Sequence, residues 1–206
     1  MDKKNENCIP SYLKFSPSYN YIHTDKVKLP TRLNKHDSEP RLQVSDDGLI
    51  IRCKSDGYGD AGAIRANRYV PPELGLFYYE IVIIDRGVHG RIGLGFCEPD
   101  IPLNSMPGWN CKSYGYHGDD GKSYYTGEKY GPVFTTGDTI GVGINFLNNT
   151  IFFTKNGLHL GTAFTRVKSN NLYPMIGMGS SRESIQINFG QKKFMFDIYE
   201  YAKVGF

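Results

Sequence analysis

The sequence predicts an all-β domain, a sandwich of two antiparallel sheets. Aromatic residues make up 14% of the 206 residues, and 24 Gly and 11 Pro accompany them. This composition favours many short strands joined by turns. About twelve short strand-like runs follow one another, and no helical periodicity lasts beyond a few turns. An Asn-Gly pair between apolar runs, at Asn156-Gly157, is a strong hairpin signal because both central residues of a type I′ turn need positive φ.

The chain divides into an arm and a single domain. Residues 1–28 are polar and irregular, with prolines at positions 10 and 17, so we expect a short N-terminal arm that lies over the domain or is partly disordered. The patterned part begins near "LPTRLNKHDS" and continues as one domain over residues 29–206. No repeat period and no second domain are visible.

Strands and turns alternate through the first half. "RLQVSDDGLIIRCKSDG" predicts two strands around a turn at Asp46-Asp47-Gly48. "GLFYYEIVIID" is the clearest strand, because it is rich in β-branched and aromatic residues. "GRIGLGF" predicts another, with glycines where neighbouring groups approach closely.

The second half keeps this rhythm. "SYGYHG" and "KSYYTG" predict two strands on either side of "GYHGDDG". Three more strands follow in "GDTIGVGINFLNNTIFFTKNGLHLGTAF", with turns at Asn148-Asn149 and Asn156-Gly157. "LYPMIGMG" and "SIQINFG" predict a last pair.

Charge and cysteine content narrow the function classes. The net charge is +3 without a basic stripe, which disfavours a nucleic-acid binder. The four cysteines have no metal-type spacing, which indicates reduced, intracellular thiols, and Cys97 and Cys111 are expected to be buried structural thiols. No apolar run approaches the roughly 20 residues that cross a bilayer, and the N-terminus lacks a secretory signal. We therefore expect a protein without a membrane partner that is located in the cytoplasm, with the nucleus as an additional location that the sequence leaves open.

The sequence shows no convincing match to a catalytic motif. "GYGDAG" matches the letters of a dinucleotide fingerprint, but "AIRANRYVPP" after it has no helical face to hold a pyrophosphate. A Gly-x-Ser-x-Gly nucleophile elbow is absent from the sequence. The histidines and cysteines show no ligand spacing for zinc. The sequence predicts no cofactor and no resident metal.

The heptad "GYHGDDG" has two interpretations. His117, Asp119 and Asp120 could serve a metal-dependent hydrolase, but the side chains of adjacent residues usually diverge. In the structural interpretation the two aspartates and Gly121 form a turn, with the glycine supplying positive φ. Tyr114 and Tyr116 then share one face of the preceding strand and His117 faces the other way. The structural interpretation is favoured.

The order of motifs along the chain resembles a known family. The matching segments are "MPGWNCKSYGYHGDDGKSYY", "YGPVFTTGDTIGVGIN", "NNTIFFTKNGLHLGTAF", "NLYPMIGMG" and "INFGQKKFMFDIYEY". Together they resemble the SPRY (B30.2-like) domain of the Ran-binding protein in the microtubule-organising centre family, over about residues 30 to 201.

The resemblance implies an SPRY-type bent β-sandwich without catalytic activity. It implies that loops at one end of the sandwich bind a short peptide or a partner protein. In this family the full protein is the scaffold subunit of the CTLH/GID E3 ubiquitin ligase, which implies ligase subunits or a substrate receptor as partners. An isolated domain is expected to be monomeric. Family members continue into helical LisH and CTLH segments, whereas this chain stops at Phe206, so it is either an excised domain or a short stand-alone protein.

By the same resemblance, four loops are expected to bind the partner. Their candidate residues are Lys54, Asp56 and Tyr58; Arg86 and His89; Leu103, Met106 and Trp109; and Met178, Ser180, Ser181 and Arg182. Trp109, the single tryptophan, is either a buried lid or an exposed anchor. Clustered cations would favour an acidic or carbonyl-rich peptide. A secreted SPRY effector that binds a host protein is the alternative, which the lack of a signal segment disfavours.

Overall fold

Two antiparallel sheets form the body of the protein in a computed structural model that describes residues 10–16, 27–54, 61–169 and 171–205. The strands of these residues are β1 (Leu33–Ser38), β2 (Leu42–Val44), β3 (Ile50–Cys53), β4 (Gly62–Ala66), β5 (Leu76–Asp85), β6 (Ile92–Cys97), β7 (Ser113–His117), β8 (Lys122–Tyr124), β9 (Glu128–Lys129), β10 (Thr139–Asn145), β11 (Thr150–Lys155), β12 (Leu158–Phe164), β13 (Tyr173–Met178) and β14 (Ser184–Asn188). Two 3-10 helices, Ser11–Phe15 and Pro72–Leu74, and one α-helix, α1 (Ile198–Gly205), complete the described part.

The two sheets have seven strands each. Sheet A has the order β1-β4-β13-β6-β7-β8-β9, and sheet B has the order β12-β11-β10-β5-β14-β3-β2. Aromatic side chains from both sheets meet between them: Tyr79 packs edge-on against Phe96 with ring centroids 5.6 Å apart, and Tyr116 lies 5.2 Å from Phe153. The high aromatic content therefore fills the core of a β-sandwich, and the predicted fold class is confirmed.

The predicted turns hold their positions. Gly48 has a φ of +72° in the β2–β3 hairpin, and Asn149 has a φ of +56° between β10 and β11. Asn156 and Gly157 have φ values of +51° and +80° between β11 and β12, as a type I′ turn requires. The turn residues alone are therefore sufficient to place these hairpins along the chain.

One strand was not predicted from the sequence. The segment after "GYGDAG" forms β4, whose five residues are all buried between β1 and β13 in sheet A. A strand at this place leaves the described residues without the helix N-terminus that a dinucleotide site needs. The dinucleotide interpretation is thereby disfavoured on structural grounds as well.

The N-terminal arm, where it is described, is packed onto the domain. Tyr12 and Leu13 are buried, and the backbone N–H of Tyr78 in β5 donates a hydrogen bond to Tyr12 Oη at 3.1 Å. Phe15 packs edge-on against Tyr199 of α1, with ring centroids 5.0 Å apart. Residues 10–16 thus contribute to the core, and the predicted boundary at residue 28 remains a prediction.

Both outer faces of the sandwich are partly covered. The long β6–β7 loop lies on sheet A, where Ile101 packs with Ala63, Cys97 and Met175. On sheet B, Phe196 from the C-terminal segment lies 5.6 Å from Tyr78 between ring centroids. Of the three cysteines in the described residues, Cys53 and Cys97 are buried and Cys111 is exposed, so the expectation of burial is correct for Cys97 and wrong for Cys111. Within the same residues no helix is long and apolar enough to cross a bilayer.

Candidate functional site

Three of the predicted binding loops leave the sandwich at the same end. Ser184 at the start of β14 pairs with Arg52 of β3 and with Asp85 of β5. Met178 at the end of β13 pairs with Ile92 at the start of β6. The β3–β4, β5–β6 and β13–β14 loops are therefore neighbours, and we call this end of the sandwich the loop end.

The β5–β6 and β13–β14 loops are in direct contact. The N–H of Val88 donates to the carbonyl of Ser181 at 3.2 Å, and the N–H of His89 donates to Ser180 Oγ at 3.2 Å. Gly87 has a φ of +66°, and a Cβ at this position would lie 2.4 Å from the Ser181 carbonyl oxygen. Only a glycine allows this close approach between the loops.

A buried carboxylate lies beneath the contact. Glu183 is 0% exposed, and its Oε2 accepts hydrogen bonds from the N–H groups of Gly179 at 2.9 Å and Ser180 at 3.0 Å. Its Oε1 accepts one from Ser180 Oγ at 2.6 Å. Burial raises the pKa of Glu183, and the hydrogen bonds from Ser180 and Gly179 oppose that shift. Its backbone carbonyl accepts the N–H of Cys53, the last residue of β3, at 2.8 Å.

The side chains exposed at the loop end are mainly basic. Lys54, Arg86, His89 and Arg182 are exposed there, together with Val88 at 52%. Among the described residues, no ion pair involves Lys54, Arg86 or Arg182. Arg182 has a φ of +68°, so the β13–β14 turn places this residue in the left-handed region of backbone conformation. Asp56 and Tyr58 lie outside the described residues.

The fourth predicted loop lies over the outer face of sheet A. The Leu103 carbonyl accepts the N–H of Ala63 at 2.7 Å, and Leu103 is half-buried. Met106 is 1% exposed, with its Sδ 2.7 Å from where a Cβ on Gly177 would lie. Trp109 follows in the same turn, its N–H bonded to the Met106 carbonyl at 3.1 Å, and it is 46% exposed. The tryptophan is thus exposed and is not a buried lid.

The structure corrects three of the predicted contact residues. Met106, Met178 and Ser180 are at most 2% exposed, so their side chains cannot touch a partner in this conformation. Met106 holds the β6–β7 loop on sheet A, Met178 belongs to the core, and Ser180 bonds Glu183. Ser181 is half-buried and its carbonyl is used by Val88. The exposed set is therefore Lys54, Arg86, His89, Trp109 and Arg182.

Side chains of "GYHGDDG" serve the scaffold. His117 Nε2 lies 2.8 Å from the Pro107 carbonyl, and its ring stacks on Tyr124 with centroids 3.9 Å apart. Because a carbonyl only accepts, Nε2 carries the proton. Burial lowers the pKa of His117. Asp120 accepts hydrogen bonds from Tyr124 Oη at 2.7 Å and from the Lys122 N–H at 3.0 Å. In the described part of the chain no three His, Cys, Asp or Glu side chains are grouped as metal ligands.

The predicted geometry of this stretch is confirmed. Tyr114 and Tyr116 face the core from β7, whereas His117 faces the β6–β7 loop. Gly121 has a φ of +71°, and a Cβ there would lie 2.3 Å from the Gly131 carbonyl oxygen. The heptad is a turn between β7 and β8 that supports the covering loop.

Comparison with known families agrees with this architecture. A model of the SPRY domain family matches residues 76–192, which is more than half of the chain. The chain belongs to the SPRY domain family. The matched region of this SPRY domain runs from β5 to the segment after β14, so it contains both loops that meet above Glu183.

Relatives of this SPRY domain are much longer proteins. Human Ran-binding protein 9 is 40% identical over 190 residues, which cover 90% of this chain and 26% of the relative. Zebrafish (Danio rerio) Ran-binding protein 10 is 40% identical over 188 residues, covering 89% and 31%. The Ran-binding protein M homolog of Arabidopsis thaliana is 39% identical over 180 residues, covering 84% and 38%. The chain thus spans about a third of the length of the curated relatives it matches.

Solved SPRY domains have the same fold. A crystal structure of a human SPRY domain superposes with a TM-score of 0.66 at 30% identity, covering 74% of this chain and 98% of that one. The SPRY domain of human HERC1 gives a TM-score of 0.65 at 23% identity, covering 78% and 99%, and shows the shared fold alone. The family supports an interaction module, since SPRY domains serve protein interactions.

Sequence reasoning did not find Glu183. It belongs to the "MGSSRE" turn, directly after the predicted contact residues Ser181 and Arg182, but a glutamate after serines resembles an ordinary solvated turn residue. A weak signal was present, because Glu183 directly precedes the apolar strand β14. Val88, between Arg86 and His89, was also missed, as isolated apolar loop residues carry little information.

Proposed function

We propose that this SPRY domain binds a short peptide segment of a partner protein at its loop end. The observation that supports the proposal is the combination of exposed Arg86, His89 and Arg182 with loops that are bonded to each other beneath them. Function is commonly carried by loops that a rigid scaffold positions. Trp109, on the β6–β7 loop that covers sheet A, adds the large amphipathic surface typical of binding anchors.

The partner segment is acidic or rich in backbone carbonyl groups. Lys54, Arg86 and Arg182 are exposed cations without ion pairs among the described residues, and charge complementarity selects partners and raises association rates. Arginine also donates several hydrogen bonds in a fixed planar arrangement, which suits carboxylates and carbonyls.

The biological setting that we propose is the scaffold of a CTLH/GID-type E3 ubiquitin ligase. The support is the 40% identity to Ran-binding proteins 9 and 10 over most of this chain. In this role the domain recruits a substrate receptor or another subunit and performs no catalysis itself. The names of the relatives also nominate the Ran GTPase as a ligand, which a direct binding assay with purified Ran addresses.

Affinity purification tests the proposal. The wild-type chain, Arg86→Ala and Lys28→Ala are used as bait, and cross-linking locates the bound segment. Lys28 is an exposed lysine beside Tyr173, at the end of β13 opposite the loop end, and serves as the matched control. We expect the partner to be lost with Arg86→Ala and kept with Lys28→Ala. Recovery of helical ligase subunits supports scaffold docking, and recovery of a single receptor supports peptide capture.

The result against the proposal is also defined. Arg86→Ala and Trp109→Ala should both weaken the binding of the cross-linked segment, measured by titration calorimetry. Unchanged affinity in both variants rejects this choice of loops.

A further inference from the structure

A chain of hydrogen bonds connects the exposed His89 loop to a carboxylate that is fully buried. The His89 N–H donates to Ser180 Oγ at 3.2 Å, and Ser180 Oγ donates to Glu183 Oε1 at 2.6 Å. Glu183 Oε2 accepts the N–H groups of Gly179 and Ser180, at 2.9 and 3.0 Å. The side chain of Glu183 therefore fixes its own loop directly, and it fixes the β5–β6 loop through the Ser180 hydroxyl and a hydrogen bond from the Arg91 backbone.

The main chain of Glu183 extends this network to the end of β3. Its carbonyl accepts the N–H of Cys53, directly before Lys54, at 2.8 Å. Its Cγ would lie 2.7 Å from a Cβ on Gly87, so the β5–β6 loop also packs against the side chain. One residue thus bonds to its own loop, to the β5–β6 loop and to the last residue of β3, directly before Lys54.

Burial of this carboxylate is costly. Glu183 is 0% exposed, and within the described residues no ion pair compensates its charge. The raised pKa reports the same penalty. A neutral side chain could cap the turn at lower cost. A buried acceptor that is fully hydrogen-bonded, however, holds its donors in one geometry, which suits a site that must be preformed.

Glu80 provides an internal comparison. It is also buried, at 4% exposure, and it also accepts two backbone N–H groups, those of Met195 and Phe196, both at 2.9 Å. A hydroxyl, Tyr78 Oη, is its third donor at 2.9 Å. Glu80 holds the C-terminal segment on sheet B, so it has the same chemistry as Glu183 without any link to the binding loops.

We propose that Glu183 is the positioning residue of the partner-binding site. By fixing the backbone of the β13–β14 and β5–β6 loops, it presents Arg86, His89 and Arg182 in one arrangement before the partner arrives. This inference rests on the proposed function. Preformed loops lose little conformational freedom on binding, so their order contributes directly to affinity.

A peptide probe tests the role. Peptides are selected from a random display library on the immobilised wild-type chain, and those whose binding Arg86→Ala weakens are kept. Calorimetry then gives the Kd of the probe for Glu183→Ala, Glu183→Gln and Glu80→Ala, with thermal melts in parallel. We expect Glu183→Ala to weaken binding about tenfold or more, as expected for the loss of preorganisation.

Two comparisons separate positioning from general destabilisation. The glutamine of Glu183→Gln can accept both N–H groups with its amide oxygen and donate to Ser180 Oγ with its amide nitrogen, so it should recover most of the lost affinity. Glu80→Ala should lower the melting temperature to a similar degree and leave the Kd unchanged. If Glu183→Ala does not fold, Ser180→Ala removes the hydroxyl that joins Glu183 Oε1 to the His89 N–H and keeps the two backbone N–H bonds to Oε2. This variant should still weaken the binding of the probe severalfold.

The outcomes are distinguishable. An Arg86-dependent peptide that binds Glu183→Ala or the folded Ser180→Ala as tightly as wild type overturns this inference and leaves the proposed function standing. Equal losses in Glu80→Ala and Glu183→Ala also overturn it, because stability alone would then explain the effect. A library without any Arg86-dependent peptide overturns the proposed function, and the positioning role fails with it.

Discussion

Gly87 and Ser181 lie so close that a side chain at position 87 cannot be accommodated: a Cβ there would be 2.4 Å from the Ser181 carbonyl oxygen. Gly87→Ala should therefore push the β5–β6 loop away from the β13–β14 loop and weaken partner binding. Gly127→Ala is the matched control, because Gly127 has a similar φ of +73° and nothing within 4 Å of a Cβ.

Chemical denaturation measures this difference. Gly127→Ala should lose only about 1–2 kcal/mol, the cost of an L-residue in the left-handed region. Gly87→Ala should lose that amount and a further ~1–3 kcal/mol from overpacking. Equal losses in the two variants would show that the loops separate freely.

The raised pKa of Glu183 predicts that the free energy of unfolding depends on pH. Burial raises it above the ordinary value of 4.5, so the folded state binds a proton more tightly than the unfolded state. Stability from this residue is greatest below pH 4.5 and is lost as the pH rises through the raised pKa of the folded state. Glu183→Gln removes that loss. The difference in unfolding free energy between Glu183→Gln and wild type should increase with pH across this window, and a constant difference would contradict it.

His117 separates the scaffold role from the hydrolase alternative. Its imidazole bonds the Pro107 carbonyl and stacks on Tyr124, so His117→Ala should cost about 2–3 kcal/mol of stability through the lost bond and packing. The affinity for the Arg86-dependent peptide should fall less than in Trp109→Ala, because His117 lies outside the proposed contact set and only supports the loop that carries Trp109. Hydrolytic activity in wild type that disappears in a folded His117→Ala variant would reverse this assignment.

The same histidine gives wild type an acid-sensitive component of stability. Its folded pKa is depressed below 6.5 by burial, so the unfolded state takes up the proton first as the pH falls. Stability from His117 is present above pH 6.5 and is lost as the pH falls toward the depressed pKa. In His117→Ala the melting temperature should depend less on pH in this range than it does in wild type.

Met106 and Trp109 should respond in opposite ways. Met106 is buried against Gly93 and Gly177, so Met106→Ala should cost roughly 2–5 kcal/mol. Trp109→Ala should cost less, roughly 1–2 kcal/mol, because nearly half of the side chain is already exposed. Peptide affinity should fall more in Trp109→Ala. Denaturation and calorimetry on the two variants check the order, and the reverse order for affinity would argue against the tryptophan as an anchor.

Local patterns were sufficient for much of the fold. The Asn156-Gly157 turn and the alternation of Tyr114 and Tyr116 depend on two to five residues each, and both are found as expected. β4 was missed because its short run "GAIRA" contains an arginine and follows a glycine-rich loop. Arg65 is held there by Asp37, at 2.7 and 2.8 Å, a partner 28 residues away. Such long-range pairing overrides local propensity.

The candidate site was less accessible to sequence reasoning. The positions of its loops follow from strand order, which the family resemblance supplied. Which loop residues are exposed does not, since Met106 is buried only because the β6–β7 loop folds back onto sheet A. The role of Glu183 likewise depends on donors from Gly179 and Ser180 that surround the carboxylate only in the folded chain.

The contact between Phe15 and Tyr199 has an architectural consequence. It brings the 3-10 helix Ser11–Phe15 alongside α1, so the two extremities of the described polypeptide are neighbours on the side of sheet B. A longer protein could carry this unit as an insertion, with the polypeptide entering and leaving at one place. Flanking modules attached there would leave Arg86, His89 and Arg182 at the loop end accessible to a partner.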